Sequence, residues 1–566
     1  MKPHWIFFVF LFPSLALAQN RYDVVIAEIM ADPSPSVGLP NHEWIELKNT
    51  SSSPINIQNW RLGDATSISG AFPAFTLQPD SSVIVGSASA VLQLNLFGTT
   101  IAVSSFPSLD NDGELIFIRS ANGKIIHAVD YSSAWYNNEV KKEGGWTLEM
   151  IDPKNPCSGS NNWKASMHVQ GGTPGKKNSA DGINNDTEAP QLVRAWTTDS
   201  TTIILLYNEP VDSIPGALIT NYSIDGGINI ISATTIPPLF NTVQLKTSAM
   251  NTRTIYSVSA TGIKDCMQTP IGSMNKVKTG VPEDALPGDW VVNEILFNPR
   301  PNGYDYVEFY NNSKKIFDAS KLFFANRNNT GAVSSVKALS VEPFLIFPGD
   351  HILVTTDPEN LAHHYLVKNP GNILVPGTFP SYPDDKGTVV ALNFQGTIVD
   401  EVSYKDDWHF NLVENPEGVA LERIDASGPS MERSNWHSAA STAGYGTPTY
   451  KNSQYKLIEE VKATIVVTPN VFSPDNDGRD DIATIQYTIA EPGYVANIIV
   501  FDFSGRPVRR LVRNGILGLT GYWNWDGLDE KGNRLSAGNY IVFTEIFNLQ
   551  GKKRIFKNLV TISRAY

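Results

Sequence analysis

Residues 24–35 read VVIAEIMADPSP, and residues 290–301 read WVVNEILFNPRP. The shared Glu stands at 28 and at 294, an offset of 266 (294 − 28). Each is a β-rich run ending in an Asp-Pro or Asn-Pro turn signal, which predicts one strand-and-turn unit built twice. The echo continues along both copies. HEWIELKN (42–49) answers YDYVEFYN (304–311), and GWTLEMIDP (145–153) answers GVALERIDA (418–426). DNDGELIFIRSANGKIIHAVDYSSAW (110–135) answers PDDKGTVVALNFQGTIVDEVSYKDDW (383–408). The copies close on GGTPGKKNS (171–179) and GYGTPTYKNS (444–453). Two copies of one domain therefore occupy 19–180 and 288–453.

Both copies read as strands. In WIELK, Ile45 and Leu47 alternate with Glu46 and Lys48, which sends one set inward and the other outward. Val307 and Phe309 do the same around Glu308. Asp112-Gly113 and Asn122-Gly123 sit between β-rich runs, where positive φ makes a tight turn. Only 87–96 and 358–366 look helical, one short turn at the same place in each copy.

These stretches resemble the lamin tail domain, an immunoglobulin-like β-sandwich. The resemblance rests on the I-x-E-I-x-x-(D/N)-P opening, the (W/Y)-(I/V)-E-(L/F)-x-N strand, and the late L-E-x-I-D, N-W and T-P stretches. It implies accessory or adhesive modules of exported bacterial proteins rather than catalysts.

The remaining chain divides further. Residues 180–188, ADGINNDTE, read as a linker. Runs at 201–212, 221–224, 243–247 and 256–265 follow at the rhythm of a seven-strand sandwich over 186–283. They look like bacterial Ig-like spacer domains with an F-x-E-P-V strand, with Tyr207 replacing the Phe. The block 463–566 carries P-x-x-F-S-P, a (F/Y)-D-x-x-G-R strand turn, W-D-G and G-x-Y. It resembles the Ig-like domain of flagellar hook-capping protein and the C-terminal sorting domains of type IX secretion. The resemblance implies a partner in the secretion machinery of a Gram-negative bacterium. The fold expected is all-β: a string of four Ig-like β-sandwich domains after a signal peptide.

That signal peptide is read at 1–18. Lys2 precedes the apolar run WIFFVFLF (5–12), and Ala16 and Ala18 are small residues at −3 and −1 of a cut before Gln19. No other stretch approaches the ~20 apolar residues of a membrane span. A net charge of −13 in 566 residues argues against nucleic acid as a partner, since phosphate binding needs concentrated Lys and Arg. The expected location is secreted, extracellular or at the outer cell surface. The two cysteines, Cys157 and Cys266, either form a disulfide or are separate buried thiols.

Candidate sites are few. Glu28 and Glu294 lie inside apolar strands, where a carboxylate is costly unless paired. Neither has a second acid or His beside it at ligand spacing. A Glu accepting backbone N–H groups, or pairing with Lys or Arg at a sheet rim, is the expectation. Trp163 and Trp436 read as corner plugs of the sandwich, and Trp523 with Trp525 as one buried strand face. Asp475, Asp477 and Asp481 in DNDGRDD could give hard oxygens to Ca²⁺, with an Asx-rich turn as the rival. Adjacent His363-His364 diverge and make a poor metal pair. No nucleophile elbow, phosphate-binding loop or dinucleotide fingerprint occurs. The function expected is non-catalytic and structural or adhesive, directed at an extracellular polymer or surface protein. The alternatives are an accessory carbohydrate-binding protein, which needs an exposed aromatic row, and an extracellular hydrolase or nuclease, which needs converging acids or His.

Overall fold

The computed structural model describes residues 19–185, 188–455, 463–549 and 551–564. The signal-peptide reading at 1–18 lies outside the described residues. The chain is all-β, and it divides into two compact units. One is built from residues up to 292 with 304–361 and 368–403, the other from 293–303, 362–367 and 404 onward.

The first unit opens with a sandwich. Its larger sheet runs in the order Trp163–Ala165, Leu148–Met150, Val24–Met30, Trp44–Asn49, Ser82–Ser87, Thr100–Val103. Every neighbouring pair is antiparallel except the last, which is parallel. The facing sheet is Arg61–Asp64, Leu115–Arg119 and Ile125–Asp130. Ile45 and Leu47 point into the core between the sheets with Ile26, Ile29, Ile116 and Ile118, as the WIELK alternation predicts. The Asn122-Gly123 turn joins the last two strands, and Gly123 takes φ +87° there.

The strand Val24–Met30 is buried along its whole length. Its second face is covered as well. Met30, Trp44 and Ile84 pack there with Leu94 of the one-turn helix Val91–Leu94. Side chains at alternate positions place Glu28 and Glu46 on this same outer face. The segment 171–180 closes over it.

Next comes a seven-strand sandwich, as its spacing predicts. Leu192–Asp199, Thr202–Tyr207, Thr242–Thr247 and Ile230–Ile236 form one sheet, and Tyr222–Ile224, Tyr256–Ala260 and Lys276–Thr279 the other. A Cys157–Cys266 disulfide (Cα–Cα 6.1 Å) ties it to the first sandwich. Two separate thiols would carry the same sequence spacing, so spacing alone left the bond open.

The second copy repeats pairings of the first in both units. In the first unit, Tyr306–Asn311 pairs antiparallel with His351–Thr355, which Ile373–Leu374 joins in parallel. This is the same parallel step that closes the first copy. The helix Pro358–His364 occupies the position expected for it.

In the second unit, Glu294 pairs with Glu422 as Glu28 pairs with Glu149. Trp436–Ser438 continues that sheet. The C-terminal sandwich stacks a three-strand sheet (Ala463–Thr468, Ala483–Ile489, Thr520–Trp525) on a five-strand one. The latter runs Val471–Phe472, Lys553–Ile562, Gly538–Asn548, Tyr494–Asp502, Pro507–Ile516. Trp525 is fully buried in its core, and Trp523 packs against the same core while stacking on Tyr487 at 4.8 Å.

Candidate functional site

Three carboxylic acids converge on the outer face of the first sandwich. Glu28 lies opposite Glu46 on one side and Glu149 on the other, and all three are buried (0%, 1% and 0% exposed). The expectation of an isolated Glu28 is thereby corrected. Antiparallel pairing sets directly opposed side chains about 5 Å apart whatever their separation in sequence, so neighbours 18 and 121 residues away (46 − 28, 149 − 28) meet. Of the two expected kinds of partner, the backbone N–H is the one found on Glu28 and Glu294, joined by hydroxyl donors.

Those donors come mainly from the closing segment. The Thr173 N–H and the Thr147 hydroxyl each donate to Glu28 Oε1 at 2.7 Å. The Thr173 hydroxyl donates to Glu149 Oε1 at 2.8 Å and stands 3.4 Å from Glu28 Oε2. Glu149 Oε2 accepts from the Ser179 hydroxyl (2.8 Å) and the Ala180 N–H (2.7 Å). Gly175 N–H donates to Glu46 Oε2. Gly172 leaves the room for this: a Cβ there would stand 2.9 Å from Glu28 Oε1.

One further contact explains the Asn-Ser at the end of the segment. The first strand bulges between Ile26 and Glu28, which takes the Ala27 carbonyl out of the ladder. Asn178 Nδ2 donates to Ala27 O and to Met150 O, each at 2.9 Å, and so satisfies it.

The second copy builds the same strap. Thr447 donates its N–H to Glu294 Oε1 (2.9 Å), and its hydroxyl lies 2.6 Å from Glu294 Oε2 and 3.0 Å from Glu422 Oε1. Ser453 and the Gln454 N–H donate to Glu422 Oε2. Asn452 donates to Asn293 O and Arg423 O. The T-P and N-S residues shared by both closing stretches are thus the strap itself.

Burial dominates the electrostatics of these acids. It pushes the Glu28 carboxyl well above the usual carboxylate range, reinforced by the charges of Glu46 and Glu149. Burial likewise raises Glu46 to about 7, against hydrogen bonds from Gly175 and Ser82. Glu422 is raised for the same primary reason. A general acid must be reachable by substrate; these are sealed beneath a strap.

The remaining candidates resolve individually. Trp163 and Trp436 are buried corner plugs, each beside a second Trp (Trp135 at 6.1 Å, Trp408 at 6.5 Å). Trp60 is buried, while Trp135 and Trp146 pack half-buried on the first core, so these tryptophans form no exposed row. Asp475, Asp477 and Asp481 hold ligand oxygens within 4.8 Å of one another. The same oxygens also cap their own loop: Asn476 and Gly478 N–H donate to Asp481, and Arg479 N–H to Asp477. Such mutual capping is the chemistry of an Asx-rich turn.

An open cavity of about 550 Å³ is lined by Trp196, Phe394, Glu283, Asp318 and Asn393, among others. Three of its polar side chains are engaged. Glu283 pairs with Arg253, Asp318 accepts from Ser320 and Phe344 N–H, and Asn393 caps Gln395 and Thr397.

Residues 18–133 match the family model described as Lamin Tail Domain, over the first copy short of its last two strands. No curated protein matches the chain. Solved structures resemble it weakly. The N-terminal part of the bacterial S-layer protein SbsC is 14% identical over 38% of this chain and 44% of its own, with a TM-score of 0.16. The chain thus spans less than half of that structure. A DUF4876 family protein from Bacteroides thetaiotaomicron VPI-5482 is 12% identical over 42% of this chain and 90% of its own (TM-score 0.18). A tetra-tandem repeat from the extending region of a large adhesion protein is 10% identical over 96% and 99% (TM-score 0.12). Overlaps this loose carry no functional argument.

Proposed function

We propose that this chain is a non-catalytic, exported, multidomain protein of a Gram-negative bacterium, with a structural or adhesive role at or beyond the cell surface. In this reading its modules are 19–180, 186–283, 288–453 and 463–566, following a signal peptide at 1–18. The sandwiches are rigid bodies that present loops to an extracellular polymer or another surface protein. The last module engages the secretion machinery or attaches the chain.

One observation carries the non-catalytic part. Where acids converge, at Glu28, Glu46 and Glu149, their oxygens are occupied by strap donors and the site is closed to solvent. Sandwiches tolerate loop variation over a constant core, which places recognition on loops. The lamin tail match over 18–133 supports the module assignment.

The test is to express the full chain and a form lacking 463–566 in a type IX-competent host and to probe intact cells for the product. Surface display or release is expected for the full chain, with periplasmic retention of the truncated form. Display that survives the deletion sinks the sorting assignment. Hydrolysis of DNA, phosphodiesters or polysaccharide by purified protein, with or without Ca²⁺, sinks the non-catalytic one.

A further inference from the structure

We infer that Glu28 and Glu46, set against Glu149, form a proton-dependent latch, holding segment 171–180 on the first sandwich while protonated and releasing it as they ionise. The segment belongs to no sheet of the sandwich. Its attachment to this face runs mainly through Thr173, Gly175, Ser179 and Ala180 to the three carboxyl groups, with Asn178 on two carbonyls, the Thr147 N–H on Gly171 O and the Met167 N–H on the Ser179 hydroxyl.

Proton counting gives the latch its sign. The Thr173 hydroxyl carries one hydrogen but faces two carboxyl oxygens, Glu149 Oε1 at 2.8 Å and Glu28 Oε2 at 3.4 Å. Both contacts are favourable only if one of the carboxyls brings its own proton to the hydroxyl oxygen. The Thr447 hydroxyl stands in the same position between Glu294 and Glu422, at 2.6 and 3.0 Å. Ionising the whole set would leave like charges facing one another in a water-free layer.

The surrounding cations offset that repulsion only in part, Lys48 acting on Glu46 and Lys141 on Glu149. The second strand brings Glu46 and Lys48, and Lys48 is committed to Asp80 at 2.7 Å. Leu148–Met150 brings Glu149, and Trp163–Ala165 brings Lys164, opposite Glu149 in register but exposed. The turn Lys141–Glu143 supplies Lys141, whose Nζ donates to Ser166 O and lies over the Trp146 ring. The segment's own Lys176 and Lys177 are exposed, the latter paired with Asp181 at 2.6 Å. Ser82–Ser87 and the helix Val91–Leu94 bring no charged group. Among the described residues, no cation is buried between the three acids.

Release acts on the exit of the sandwich, since the segment runs directly into residues 181–185. There Asn184 is held by Asp152 and Asn162.

The experiment is hydrogen exchange of the mature full chain, read by mass spectrometry on peptides covering 171–180 between pH 5.5 and 8.5. Rates are corrected for intrinsic exchange, and a C-terminal-sandwich peptide serves as reference. Protection of 171–180 is expected to fall at least about tenfold across that range while the reference stays level. In Glu28→Gln the fall should disappear. Should Glu28→Gln fail to fold, Glu46→Gln, whose carboxyl meets fewer strap donors, carries the same comparison and should at least halve the fall in log units. Protection that does not change with pH, or an undiminished fall in the Gln variant that folds, overturns the latch.

Discussion

The guanidinium of Arg21 lies 4.1 Å from the ring centroid of Phe240, joining the start of the first sandwich to the seven-strand sandwich that follows. It also stacks on Tyr22 and donates to Val211 O and Leu239 O, each at 3.1 Å. Together with the Cys157–Cys266 bond, this fastens the two modules at two points.

Arg21→Ala should lower the stability of this pair by about 2 kcal/mol, from lost charge-assisted hydrogen bonds and cation–π contact. Reducing the disulfide should cost more, roughly 4–5 kcal/mol on a chain-entropy estimate for a closed loop of 110 residues (109 + 1). Calorimetry of wild type, variant and reduced protein checks the order. Equal melting of oxidised and reduced forms refutes it.

The first sandwich should be most stable near pH 5–6. Glu46 is raised from 4.5 to about 7, so its contribution is complete below pH 4.5 and is lost as pH rises through about 7. His127 runs the other way. Burial lowers it from 6.5 to about 3, and its Nδ1 accepts the Ile26 N–H at 3.0 Å. Its contribution is present above pH 6.5 and lost as pH falls through about 3. Urea midpoints across pH should show both limbs, and Glu46→Gln should flatten the alkaline one. A midpoint that climbs steadily to pH 8 contradicts the assignment.

In the C-terminal sandwich, Trp525→Ala should cost about 3–5 kcal/mol, the range for emptying a buried aromatic site. Tyr522, on the opposite face of the same strand and 66% exposed, should change stability by less than about 0.5 kcal/mol on replacement by Ala. Chemical denaturation of the two variants compares them directly. Similar losses would mean the strand faces are reversed.

The loop of Asp475, Asp477 and Asp481 closes on its own amides, so EGTA should leave the C-terminal sandwich's melting temperature unchanged within about 1 °C. A rise with millimolar Ca²⁺ that Asp481→Asn abolishes would instead assign the three carboxylates to the ion.

Much of this architecture can be read from side-chain alternation. Ile45, Leu47, Val307 and Phe309 face inward as WIELK and YVEFY imply, and the duplicated phrases pair identically at Glu28–Glu149 and Glu294–Glu422. The acid cluster was hidden because cross-strand neighbours share no spacing in sequence. A signal existed nonetheless. Glu46 and Glu149 recur as Glu308 and Glu422, alongside the T-P and N-S of each closing stretch. Solvent-facing positions of ordinary strands have no reason to repeat so faithfully.

The covalent bridge between Cys157 and Cys266 also sets how this part of the chain would carry load. Tension applied along the polypeptide crosses from one sulfur to the other and bypasses residues 158–265. Roughly 360 Å of extendable chain, at ~3.3 Å per residue, is thereby withheld from stretching. The strap over the acids and most of the second sandwich would bear no tension of their own while the strands on either side are pulled.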